Sequence, residues 1–186
     1  MAVRPFIAYE DRRLHSKADE VPEITETVRM IWDDMVETMD AMPGVGLAAP
    51  QIGITLRLAV VDASDKRGQA VRMANPEVLH ASIQMRKHDE GSPNLPGVWA
   101  SIERPRAVTV KFLNEAGEIE ERDFVGLWAT SVQHQIDHLN GKLYVRADNG
   151  AGPSSPPANT YRQRQASGGV PSYSYTSSNP AVASVD

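Results

Sequence analysis

The stretch from Gly126 to Asn140, GLWATSVQHQIDHLN, constrains the fold more than any other part of the chain. At about 100° per residue, Trp128, Val132, Ile136 and Leu139 fall on one stripe, while His134 and His138 lie together roughly opposite it. The pair Asn140-Gly141 favours a left-handed cap, so the periodicity predicts a helix ending there. A helix of this kind buries its stripe against other elements. Its histidine face then meets solvent unless another segment covers it.

The remaining chain supplies the partners. Leu56 to Val61 is a short apolar run, consistent with a buried strand. Val108, Val110 and Phe112 alternate with Thr109 and Lys111, turn residues follow from Asn114 to Gly117, and a charged strand runs to about Val125, which together predict a hairpin with one wet face. Upstream, Ile24, Val28, Ile31, Met35, Met39 and Met42 recur at three- and four-residue steps. They predict a first helix between Val21 and Gly44, with Pro22 in its first turn and Pro43-Gly44 at its end. The expected fold is α+β, antiparallel strands around a central helix that carries His134 and His138. From Asn149 to Asp186 the composition turns to Ser, Pro, Gly and Ala without apolar period, and such a segment cannot offset its ordering entropy. The expected organisation is one domain over 1–148 and a low-complexity, disordered C-terminal tail over 149–186.

Composition narrows the function. A net charge of −5 with no run of Lys or Arg argues against nucleic acid or anionic lipid as a partner. No apolar run approaches the ~18 residues that span a bilayer, and Met1 to Glu10 has neither a signal-peptide nor a transit-peptide pattern. A cytoplasmic location is expected. The absence of cysteine removes disulfides, thiolate nucleophiles and every Cys-based metal site.

Three segments carry candidate chemistry. In His134-Gln135-Ile136-Asp137-His138, the four-residue spacing lets one helix face present two imidazoles to a metal, and it equally suits two polar residues on a solvated face. In Gly44-Val45-Gly46-Leu47-Ala48-Ala49-Pro50-Gln51, small residues permit close backbone approach and Gln51 offers an amide donor for a carbonyl; a tight helix-to-strand connection reads the same way. Glu90-Gly91-Ser92-Pro93-Asn94-Leu95-Pro96-Gly97 reads as a loop.

In order and approximate separation these segments resemble the three signatures of peptide deformylases, GxGLAAPQ, EGCLS and HExDH. The match runs from about Phe6 to Val145 and includes Asp11-Arg12-Arg13-Leu14, Glu37-Thr38-Met39, Asn75-Pro76 and His138-Leu139-Asn140-Gly141. The resemblance implies a metal-dependent hydrolase that removes the formyl group from N-formylmethionyl peptides. It implies His134 and His138 as metal ligands, Gln51 as donor to the formyl oxygen, Gly46 and Leu47 in the pocket, and an ion pair between Arg104 and Asp137 behind it. This chain departs from the pattern at three positions. Ser92 stands where the family has its ligand cysteine, Pro93 where the family uses a backbone N–H toward the oxyanion, and Gln135 where it has the glutamate general base. The expectation is therefore a deformylase-like protein with little or no deformylase activity, its divalent metal (Fe or Zn) weakly held or absent. Two alternatives are a metal-dependent hydrolase of altered activity, with His88 or Asp89 as substitute ligand, and a non-catalytic binder of peptides beginning with (formyl)methionine. Family members usually continue into a further helix beyond Val145; the Ser/Pro-rich tail would fit a shifted reading frame from about Arg146.

Overall fold

The computed structural model describes residues 2–42, 44–144 and 163–165. In chain order its elements are α1 (Glu26–Ala41), β1 (Gly46–Ala48), β2 (Leu58–Val61), β3 (Val71–Ala81), β4 (Met85–Gly91), β5 (Val98–Pro105), β6 (Ala107–Leu113), β7 (Ile119–Val125), α2 (Gly126–Leu139) and β8 (Gln163–Gln165), with short 3-10 turns at Arg12–His15 and Ala49–Ile52. All pairings within the two sheets are antiparallel: β1-β2-β3-β6-β7 forms one, β4-β5-β8 the other.

Strand β2 shows why its sequence is apolar throughout. Ala59 and Val61 face α2, joining Val132, Ile136, Leu139, Met73, Val110 and Phe112 in one core, whereas Leu58 and Val60 face α1, joining Val28, Trp32, Met35, Met39 and Leu47 in another. A strand covered on both faces carries no polar side. The stripe predicted for the second helix, Val132, Ile136 and Leu139, is buried as expected, with Trp128 packed at its edge.

The first helix starts later than the sequence pattern indicates. Thr25 caps it, its hydroxyl accepting from the Val28 N–H at 3.3 Å, so Pro22 lies before the helix rather than in its first turn. Val21 is instead held by Asn75, whose side chain bonds both its N–H and its carbonyl. Trp32, outside the predicted stripe, is the largest side chain wholly shielded from solvent. The hairpin is as predicted: Leu113 faces Ile119, and Gly117 turns the chain with a φ of 81°. Glu90 and Gly91, predicted as loop, instead end β4, where Gly91 pairs with Trp99. Charged strands such as β4 hide from a hydrophobicity pattern because their inward side chains are paired rather than apolar.

Beneath the end of α2 lies Arg57, which donates to Leu139 O at 3.2 Å, Asn140 Oδ1 at 3.0 Å and Pro76 O at 3.3 Å. A cation there satisfies a terminal carbonyl and complements the helix dipole. The predicted boundary at 148/149 and the tail over 149–186 lie outside the described residues, except for Gln163–Gln165, which pairs with Val98–Ala100.

Trp32 Nε1 is buried without a hydrogen-bond partner among the described residues. Trp32→Phe removes that donor and keeps most of the ring, so urea unfolding should show a loss below about 1.5 kcal/mol, against about 3–5 kcal/mol for Trp32→Ala.

Candidate active site between the central helix and the β4–β5 hairpin

The histidine face of α2 is covered. His134, Gln135 and His138 are 2 %, 0 % and 1 % exposed. What covers it begins with Glu90, whose Oε2 lies 2.7 Å from His134 Nδ1. Arg104 on the neighbouring strand binds both oxygens of Glu90, at 2.5 and 2.9 Å, and reaches Asp137 Oδ2 at 2.8 Å. The Arg104–Asp137 pair was expected; Glu90 as its centre was not. Burial pushes the Glu90 carboxyl up, but the Arg104 charge and the hydrogen bonds from His134 and Arg104 outweigh it and bring the group down to about 2. Burial likewise opposes the charge on Arg104, and its two carboxylates reverse that and raise it.

His138 answers to different forces. Burial, joined by the nearby His134 and Arg104, pushes it well below the ordinary imidazole range, so it is neutral. Its Nε2 lies 3.1 Å from His134 Nε2. With Glu90 ionised, the hydrogen on His134 Nδ1 points to the carboxylate, His134 Nε2 accepts, and His138 Nε2–H donates; this assignment satisfies both contacts. It leaves His138 Nδ1 bare, and that atom, with both Nε2 and Oε1 of Gln135, is buried without a partner among the described residues. Tyr144 packs its ring 5.6 Å from that of His134 and donates its hydroxyl to Val98 O.

The opposite wall comes from β1 and the 49–52 turn. Gly46 is needed for close approach: a Cβ there would lie 2.6 Å from Gln135 Nε2 and closer still to Ser131 Oγ. Leu47 is wholly buried beside it. Gln51 donates from Nε2 to Ser92 Oγ and Asn94 Oδ1, each at 3.2 Å. Ser92 and Asn94 are both buried. Pro93, between them, has no backbone N–H to offer.

His88 and Asp89 do not join the imidazole pair. His88 lies opposite Ile102 on β4, its Nδ1 2.9 Å from Asp89 O, and among the described residues no group of three His, Cys, Asp or Glu side chains is arranged to hold a metal ion. The donors on hand are two imidazoles and the Ser92 hydroxyl, a neutral oxygen already engaged with Gln51 and Asn94. Such a set does not fit a tight divalent site, which wants a third anionic or imidazole ligand.

Fold and site together define an α+β protein that displays a buried imidazole pair from a central helix, backed by an ionised carboxylate. The polypeptide deformylase family model matches residues 3–151. The peptide deformylase of Afipia carboxidovorans is 42 % identical over 147 residues, covering 78 % of this chain and 86 % of the relative, and that of Cellvibrio japonicus is 39 % identical over 145, covering 78 % and 86 %. A crystal structure of the Legionella pneumophila peptide deformylase superposes with a TM-score of 0.73 at 38 % identity, over 77 % of this chain and 84 % of that one. The Met-Ala-Ser-bound class I type b peptide deformylase of Acinetobacter baumannii gives 0.72 at 34 %, over 77 % and 96 %. The chain belongs to the peptide deformylase family. A second model, that of the intimin immunoglobulin-like domain, matches residues 157–186.

Because the folded Glu90 titrates near 2 and an unfolded glutamate near 4.5, the group binds more protons unfolded than folded between those values. Its contribution is complete above about pH 4.5 and fades as pH falls toward 2. Glu90→Gln should flatten that acid limb in urea titrations and cost roughly 3–5 kcal/mol at pH 7, because it strips Arg104 of its buried counter-charge.

Proposed function

We propose that this chain keeps the deformylase scaffold and pocket but removes formyl groups from N-formylmethionyl peptides slowly or not at all. The observation that carries this reading is the lack of charge on three buried side chains: Ser92 and Gln135 are uncharged groups, and His138 is driven neutral. A thiolate at position 92 and a carboxylate at position 135, the groups the family pattern calls for, are the two anions such a reaction would use.

Each substitution removes a different function. Ser92 supplies a hydroxyl that stays protonated at ordinary pH, so it adds no charge to hold a divalent metal. Gln135 has nearly the shape of a glutamate and can hydrogen-bond water or a peptide amide, but its carboxamide takes no proton. General acid and base catalysis is worth ~10²–10⁴ in rate. Pro93 lacks the N–H of one oxyanion donor, a loss of about 10²–10³. These losses need not multiply, since residues acting as a unit are non-additive.

The retained residues are held in place. His134 and His138 are held by Glu90 and by each other, Gly46 keeps β1 close to Gln135, and Leu47 lies beneath. The A. baumannii relative has been crystallised with Met-Ala-Ser. A peptide with an N-terminal methionine, formylated or free, is the partner this reading assigns.

Metal content and turnover of a formyl-Met peptide test it. The purified protein should hold far less than one equivalent of zinc, iron, nickel or cobalt, with kcat at least about 10² below the few per second common for enzymes. Stoichiometric metal with ordinary turnover would sink the proposal. In a reversion series of Ser92→Cys, Pro93→Leu and Gln135→Glu, Gln135→Glu alone should restore little, and the combination with Ser92→Cys should restore metal first and turnover with it.

A further inference from the structure

Gln51 and Gln135 are both wholly buried carboxamides, and they are treated in opposite ways. Each such group offers one acceptor oxygen and two N–H donors. Those of Gln135 have no partner among the described residues. Those of Gln51 are engaged: Oε1 accepts from the Ala48 N–H at 2.8 Å, and Nε2 donates to Ser92 Oγ and Asn94 Oδ1, both at 3.2 Å.

Asn94 is held as firmly as the residue it binds. It is 4 % exposed, and its Nδ2 donates to Ile7 O at 2.8 Å and to Gln51 O at 2.9 Å. Ser92 Oγ completes the set, donating to Asn94 Oδ1 at 3.3 Å and accepting from the Asn94 N–H at 3.4 Å. Three side chains thus tie the loop after β4 to the 49–52 turn and to the N-terminal segment at Ile7. Asn94 carries an amide carbonyl, the same chemical group as the carbonyl of a peptide or of a formylated amine.

We propose that Asn94 is a built-in occupant of Gln51, its carboxamide oxygen taking the hydrogen that the carbonyl of an incoming peptide would need. This rests on the reading above that the pocket takes peptides. A ligand carbonyl can reach Gln51 only by displacing Asn94 Oδ1 or Ser92 Oγ, and a displaced buried acceptor loses its partner. The buried polar atoms without a partner among the described residues are instead those of Gln135 and His138 Nδ1, so a formyl oxygen gains nothing from Gln51 while Asn94 is in place.

Two readouts on the full chain test this separately. The first is solvent exchange of the Gln51 side-chain amide protons, followed by NMR. Both protons should be protected in the wild-type protein, and one should exchange at least about tenfold faster in Asn94→Ala, a change of about 1.4 kcal/mol in opening free energy. Unprotected protons in the wild type, or no change in the variant, overturn the assignment. Should Asn94→Ala fail to fold, Asn94→Ser is the milder substitute, and the wild-type measurement stands by itself. The second is calorimetric titration with N-formyl-Met-Ala-Ser and with Met-Ala-Ser. The variant should gain about tenfold for the formylated peptide relative to the free one; equal changes for both overturn the claim that Asn94 blocks a formyl oxygen. If exchange behaves as expected and neither peptide binds either protein, Asn94 is confirmed as the occupant and the peptide reading of the pocket fails.

Discussion

One buried carboxylate organises the site. Glu90 is 1 % exposed, and an ion that far from water survives only if its lone pairs are filled and its charge opposed. Arg104 and His134 do both, and Arg104 passes the connection on to Asp137. Through one side chain, β4, β5 and α2 become a single unit. The orientation of His134 follows, because its Nδ1 has only one direction in which to point, and the position of His138 follows from that of His134 through their shared hydrogen. Residues behind the imidazoles thereby decide which of their nitrogens are engaged.

A second constraint acts from the opposite side. The side chains of Ser131 and Gln135 press against the backbone of β1, and Ser131 Oγ donates to Val45 O at 2.9 Å. Only a residue without Cβ lets strand and helix come so close, which is why Gly46 belongs to the packing as much as to the pocket. The close approach also seals Gln135 from solvent, and its amide has no hydrogen-bond partner among the described residues. Rigidity and unsatisfied polarity arise here from the same contact.

Local pattern made much of this legible in the sequence. The α2 stripe, its end at Asn140-Gly141, the Asn114–Gly117 hairpin and the apolar β2 all follow from periodicity and turn chemistry, and the structure has them at or near those positions. The resemblance carried the family, and with it the pairing of Arg104 with Asp137. The rest depended on contacts between distant residues. Nothing within Met85–Gly91 marks Glu90 as buried, because the burial is made possible by Arg104 and His134, 14 and 44 residues away. The start of α1 is not fixed by local pattern, because Pro22 is a good first-turn residue and Thr25 an equally good cap, and local sequence does not rank them. Trp32 was passed over because it falls between the methionine and isoleucine positions that keep the regular step.

The distribution of charge in the site is consistent from its outer shell inward. Charged groups stand in the second layer, where each has a partner: Glu90 with Arg104 and His134, Arg104 with Asp137. The inner layer holds a serine, two glutamines and an imidazole driven neutral. A thiolate or carboxylate buried there would face the ionised Glu90 across a low-dielectric space, and Arg104, the neighbouring cation, is already engaged by Glu90 and Asp137. Serine at 92 and glutamine at 135 remove that repulsion while keeping side chains of nearly the same shape. Asn94 extends the logic: its carboxamide oxygen accepts from both the Ser92 hydroxyl and the Gln51 amide, so that these buried polar groups satisfy one another. The neutral side chains at 92 and 135 are thus coupled: an anion at either, without a cation to balance it, brings in repulsion from Glu90.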